Sequence, residues 1–379
     1  MIAAPPAVAQ ATEPGPPAID LSVDYTADVA GVLDGGLARR GRVLDNLEAA
    51  ADIDLGRLAG WSGATAHLVV QNNSGGMPND DAGTLQGVDN IEVTRQRARL
   101  FEAWIQQSFA GDRGSVRAGL YDLNAEFYSS DTASLLLAPA FGIGSEVAAT
   151  GPNGPSIFPS TALAVRGRWD FGDQGYVEAA VLNANAGVVG DPGGVDTTFD
   201  MGELLIAEAA WTGDGKVAVG TWRYTRRQDD WRELDRTGQP IQQVAQGAYI
   251  LAEHRLTPAA RLTRRVSAFA RLGLSDGRTT AYRGGWQAGL LVAKVFASRP
   301  NSLLSIGVNQ AWITPRHRAN SADAGRAVGR TESAFELTYS DRVIGPLTLQ
   351  PDLQYIIRPG GDRGVKNALV ATLRLALAF

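Results

Sequence analysis

The chain has 379 residues, a formal charge of −5 and a pI of about 5.4, so it lacks the basic bias that nucleic-acid partners demand. Cysteine is absent, which excludes disulfides, thiolate metal sites and cysteine nucleophiles; the three histidines, His67, His254 and His317, are scattered without metal-ligand spacing. No run of about 18 apolar residues occurs, which excludes a transmembrane helix but not strands that alternate apolar and polar residues.

The first segment, 1–11, ends in Ala9-Gln10-Ala11, a cleavage-site pattern without the charged region and full apolar run of a complete signal peptide. It reads as a signal-peptide remnant. Residues 12–17 are a proline-rich linker. From residue 18 the pattern has period two, and helical periodicity is scarce. Strands are expected at 18–30, 42–55, 61–74, 95–109, 114–123, 160–170, 175–185 and 201–211. Others follow at 216–226, 245–256, 264–275, 284–296, 303–313, 330–340, 346–358 and 367–379. These make sixteen, an even number, as a closed up-and-down barrel with both termini on one side requires. Residues 18–379 are therefore expected to form one all-β transmembrane antiparallel barrel.

Connections alternate in character. Short turn signals fall at 111–114, 171–175, 212–215 and 344–346, and longer polar loops at 75–92, 124–159, 186–200, 227–244 and 314–329. Short turns on one side and long loops on the other are the asymmetry of a bacterial outer-membrane barrel. The longest loop, 124–159, has apolar content, and Ser130 or Asp131 is placed to cap a helix through Leu137, stopped by Pro139. Its length and composition point to a loop folded into the lumen.

Several strands set ionisable residues against an apolar face. Leu163 and Val165 oppose Arg166 and Arg168; Val177, Ala179 and Val181 oppose Glu178; Ala270 and Leu272 oppose Arg271. Phe335 and Leu337 oppose Glu332 and Glu336, and Leu353 and Tyr355 oppose Asp352 and Gln354. A charge facing lipid at the midplane costs roughly 2–4 kcal/mol, so these residues should face a water-filled lumen. Mixed donors and acceptors suit sugar hydroxyls, and an aromatic such as Trp104, alternating with Glu102 and Gln106, suits a pyranose face. Strand 95–109 breaks the rule, because Arg95, Arg97 and Arg99 share parity with Ala103 and Ile105. Either a bulge shifts the phase near Leu100, or the arginines sit above the membrane. The basic loop with Arg316, His317, Arg318, Arg326 and Arg330 reads as a solvated loop or a holder of lipid phosphates.

The last strand places Leu377, Leu375, Leu373 and Ala371 on one face and Arg374 and Thr372 on the other, and ends at Phe379. It is the expected closing stave, paired with 18–30. Phe379 is its expected anchor at the membrane–water boundary and its signal to the barrel-assembly machinery. Catalysis finds little support: no glycine-rich phosphate loop, Gly-x-Ser-x-Gly elbow or metal-spaced His/Glu cluster occurs, and neither His67 nor His254 has a neighbouring nucleophile. No cofactor or metal is called for.

Residues 332–339 (ESAFELTY), 347–360 (LTLQPDLQYIIRPG), 367–370 (NALV) and 373–375 (LRL) resemble the carbohydrate-selective porin family of OprB type. So do 102–107 (EAWIQQ), 118–127 (AGLYDLNAEF) and 156–160 (SIFPS). The resemblance covers the chain from about residue 20. It implies a 16-stranded outer-membrane barrel with an inward constriction loop, passing glucose and related small sugars by diffusion. By that likeness Glu102, Trp104, Asn124 and Glu126 would lie near the constriction, with inward arginines such as Arg117 and Arg166. The full set expected along the pore adds Arg168, Glu178, Arg271, Glu336, Asp352, Gln354 and Arg374. A general or anion-preferring porin is the alternative within the class; a barrel enzyme or surface adhesin is the alternative outside it. Expected partners are the sugars, outer-membrane lipids and the assembly machinery; a monomer and a homotrimer are both compatible with the sequence.

Overall fold

The computed structural model describes residues 17–189, 191, 194–258 and 264–379. The expected signal remnant, 1–11, and all but the last residue of the 12–17 linker lie outside the described residues.

Strands β1 (Ile19–Gly36), β2 (Gly41–Asp54), β3 (Ala64–Gly75), β4 (Arg97–Phe109), β5 (Gly114–Tyr121) and β6 (Ala162–Asp170) open the barrel. They are followed by β7 (Gly175–Asn183), β8 (Glu203–Thr212) and β9 (Gly215–Tyr224). A small hairpin, β10 (Gln228–Leu234) and β11 (Pro240–Gln243), interrupts the wall and forms its own sheet. The wall resumes with β12 (Gln246–Arg255), β13 (Arg265–Ser275), β14 (Tyr282–Ala293) and β15 (Leu303–Ile313). It ends with β16 (Thr331–Ile344), β17 (Leu347–Ile357) and β18 (Lys366–Ala378).

The sixteen wall strands close antiparallel, and β1 pairs with β18. Alternation decides which side each residue takes. Leu68, Val165, Val181, Leu272, Leu337 and Leu373 point outward and are exposed; Glu178, Arg271, Glu336 and Val370 on the same strands are buried inside. An aromatic girdle marks the short-turn rim: Phe109 lies 6.2 Å from Trp169, and Phe171 and Trp211 stand exposed beside the turns. Phe379 joins this rim, where its N–H donates to the Val23 carbonyl (3.0 Å) and its carbonyl accepts from the Val23 N–H (3.2 Å).

The phase problem of β4 is solved by a bulge. Val69 pairs with Glu102 but Val70 with Leu100, leaving Phe101 as the extra residue. Arg99 and Glu102 are thereby both buried inside, whereas Arg95 and Arg97 sit nearer the long-loop rim and pair with Asp191.

Two loop expectations need correction. Residues 130–137 form no α-helix; only a single 3₁₀ turn, Asp131–Ala133, appears, and a short helix forms later at Ser145–Ala148. The Ser130 hydroxyl donates to Glu253 (2.7 Å), and the Leu137 and Ala138 amides donate to Glu336, so wall carboxylates take the groups that a helix would have used. Loop 227–244 is not a plain polar loop but carries the β10–β11 hairpin.

Candidate functional site

Two long loops fold into the lumen. The one between β5 and β6 carries the buried residues Phe127, Tyr128, Leu136, Leu137 and Phe141. Its seat is a register-matched inward row, Phe269–Gly289–Gly307–Glu336, across β13 to β16. At Gly307 a side chain would come within 2.6 Å of both Leu136 and Phe141, so only the absent Cβ allows the loop to lie against the wall. Phe141 meets Phe269 edge-on at 6.1 Å.

Charged wall residues hold this loop by its backbone. The Arg271 guanidinium donates to the carbonyls of Tyr128 (2.9 Å), Gly142 (2.9 Å), Ala140 (3.1 Å) and Phe141 (2.5 Å). Glu336 accepts the Leu137 and Ala138 amides, Glu253 the Thr132 amide, and Gln350 donates to the Leu135 carbonyl. Glu208 accepts from the Tyr128 N–H (2.9 Å) and from the hydroxyls of Tyr176 and Tyr249 (both 2.7 Å). A charge-assisted bond to an oriented N–H or C=O is about twice as strong as a neutral one. The wall thus stabilises one loop conformation through groups that would otherwise be unpaired.

Loop 76–96 folds inward by the same chemistry, which its composition of glycines, proline and aspartates did not disclose. Glu332 accepts the amides of Leu85, Gln86 and Gly360, and the Tyr282 hydroxyl donates to the Leu85 carbonyl (2.7 Å). Gln86 donates to Asn309 (2.9 Å), and Gln354 donates to the Val88 carbonyl (2.8 Å). Arg374 makes a two-pronged contact with Asp28 (2.7–3.1 Å) and reaches Asn90 (2.6 Å), with Asp89 at 3.5 Å. This joins the loop to the seam between the first and last strands.

Between the two loops and the wall lies a cavity of about 760 Å³. Amides and hydroxyls line part of it: Asn46, Gln71, Gln86, Asn90, Asn124 and Ser130. Leu85, Ile91, Phe141, Ile143, Phe158 and Tyr282 supply the apolar part. Its ionisable lining residues are Asp122, Asp131 and Arg374. Burial, with the Glu102 charge adding, pushes Asp122 up to about 7.

Of the residues expected along the pore, Asn124 and Arg374 line this cavity. Glu126, Arg117 and Arg166 come together beside it. Arg166 donates to both Glu126 oxygens (2.7 and 2.8 Å) and Arg117 stands 3.6 Å away. Burial raises the Glu126 carboxyl, but Arg117 and Arg166 outweigh it and hold the group below its usual range. The Trp104 ring is taken by its neighbours: Arg117 of β5 lies 3.7 Å from its centre, and His67 of β3 stacks at 5.0 Å. Glu102 accepts from the Asp122 amide (3.0 Å) and the Trp104 indole (3.2 Å). Arg168 is bound by Asp170 and by Glu178 at 3.1 Å, away from the cavity. Arg271, Glu336 and Gln354 clamp the loops, and Asp352 sits beneath them, accepting from Gln354 (3.1 Å). Sequence reasoning missed Glu208, Glu253 and Asp28 as anchors and Asn46, Gln71, Gln86 and Asn90 as lining. The first three alternate with apolar neighbours and were available to the same inward-charge argument.

The architecture has known counterparts. A solved structure of Pseudomonas putida OprB at high pH superposes with a TM-score of 0.83 at 24% identity, covering 96% of this chain and 94% of that one. Porin B of Pseudomonas aeruginosa is 24% identical over 95% of this chain and 87% of its own length. The putative porin QuiX of Acinetobacter baylyi is 23% identical over 92% and 86%. The family profile "Carbohydrate-selective porin, OprB family" matches residues 38–379. The chain therefore belongs to the carbohydrate-selective porin family and is a sugar-selective β-barrel channel of the bacterial outer membrane.

Proposed function

We propose that the channel passes small neutral sugars of monosaccharide size by passive diffusion through the cavity between its two infolded loops. The observation that carries this reading is the chemistry of the lining. Amide and hydroxyl groups face apolar and aromatic ones, and formal charge is sparse: Arg374 is neutralised by Asp28, Asp122 titrates near neutrality, and Asp131 is the one lining charge left without an ion pair among the described residues. A sugar presents the same two aspects, hydroxyl edges and C–H faces. Weak contacts of this kind allow entry and release, which conduction requires. An anion-preferring pore would need free inward cations. Arg117, Arg166, Arg168 and Arg374 are instead engaged by carboxylates.

On this reading the chain is a channel rather than an enzyme, with lipid covering the outward apolar band and the assembly machinery reading the closing strand. Native mass spectrometry distinguishes a monomer from a homotrimer. Liposome swelling tests selectivity: glucose should enter faster than gluconate and than amino acids of similar size. Equal rates for all three would refute it.

A further inference from the structure

On the long-loop face, the β10–β11 hairpin and the helix Pro315–Asp323, named α1 here, build a second concavity of about 800 Å³, apart from the pore. We propose that it is a binding site for a monosaccharide carrying a carboxylate, such as a uronate or aldonate, at the outer mouth of the channel.

The frame is fixed before any ligand arrives. Arg316 of α1 donates to both Asp230 oxygens (2.8 and 3.1 Å) and to Glu233 (2.7 Å) on the hairpin. Arg232 crosses back to Asp323 (2.7 Å) and Asn320 (2.8 Å). Trp231 is held at both backbone groups, its N–H by the Arg278 carbonyl (2.7 Å) and its carbonyl by Asn320 (2.8 Å). Preorganisation of this kind lowers the ordering cost of binding.

Against that frame the groups are those of sugar-acid recognition. Trp231 remains 42% exposed, with the His317 ring beside it at 6.3 Å, and offers a face to a pyranose. Burial and the nearby Arg326 hold His317 below its ordinary range, which favours the uncharged ring beside Trp231. Arg226, Arg227 and Arg326 line the concavity, and among the described residues none is in an ion pair. Asp230 is neutralised by Arg316, which leaves Asp229 as the lining carboxylate without an ion pair. The surplus is positive, and guanidinium matches carboxylate geometry. Ser321 also lines the space; it is 2% exposed, and its buried hydroxyl lacks a hydrogen-bond partner among the described residues. A buried hydroxyl so placed can pair with a ligand hydroxyl or a water.

The test is calorimetric titration of the full chain in detergent micelles with glucuronate, glucose and acetate. Glucuronate should bind saturably and at least about tenfold tighter than either of the others, because each of them lacks one half of the recognition. Arg326→Gln and Trp231→Ala should each weaken glucuronate by about tenfold, while Trp231→Phe keeps most of the affinity. Heat-modifiable migration on a gel shows that each variant has folded. Equal binding of acetate and glucuronate, equal binding of glucose, or unchanged affinity in folded Arg326→Gln would overturn the proposal. Binding is read without transport, so a negative result here leaves the pore reading untouched.

Discussion

Replacing Arg271 by Met should release the constriction loop while leaving the barrel closed. The side chain is 2% exposed and its guanidinium donates to four loop carbonyls. A hydrogen bond to a charged group contributes roughly 1.5–3 kcal/mol, which for four bonds gives a gross value well above what is lost. Freed carbonyls at the cavity edge regain water, so the net cost is better taken as about 1 kcal/mol for each bond lost, on the order of 4 kcal/mol for the four. A shift of that size multiplies the open population by about a thousand. Hydrogen exchange reads it directly: protection of amides in 129–143 should fall by about three orders of magnitude, with wall-strand amides unchanged. Liposome swelling should then admit trisaccharides. Adding Glu336→Gln, which weakens the grip on the Leu137 and Ala138 amides, should widen the effect. Unchanged loop protection and an unchanged size limit in a folded Arg271→Met barrel would refute the clamp.

Gly307→Val drives a side chain into Leu136 and Phe141, both 2.6 Å from the new Cβ, and should raise single-channel conductance by displacing the same loop. The pH dependence has a defined sign. Asp122 and Glu92 are raised to about 7 chiefly by burial, so loop docking is fully favoured below about pH 4 and weakens as pH rises through 7. Loop exchange, corrected for its intrinsic rate, should increase between pH 5 and 7 and level off above that, and the Asp122→Asn, Glu92→Gln double variant should flatten it. Deleting Phe379 removes both backbone bonds to Val23 and an exposed aromatic at the rim; barrel levels in outer-membrane fractions should fall while synthesis is unchanged.

The barrel was legible because lipid imposes a strict rule on one face of each strand, so that Leu373 and Arg374 cannot exchange sides without a cost of kilocalories. Even the Arg95–Arg99 anomaly announced its bulge as one of two alternatives. The loops were less legible because nothing local decides them. Residues 130–137 carry a respectable helix signal, and it loses to Glu253 and Glu336, which lie more than a hundred residues away in sequence. Sequence showed that Glu336 and Arg271 face inward; it did not show whether they meet water, a solute or the chain's own backbone. The infolding of 76–96 left no composition signal, since its partner Glu332 sits some 250 residues downstream.

That separation has a consequence for how the channel is made. The anchors of the β5–β6 loop lie at Glu208, Glu253, Arg271, Glu336 and Gln350, the last 215 residues beyond the group it holds. Contacts so distant along the chain form late. The N-terminal half of the protein therefore contains both infolded loops but lacks these five anchors. The last three strands, which close the barrel against lipid, also supply through Glu336, Gln350, Gln354 and Arg374 the grips that set its bore.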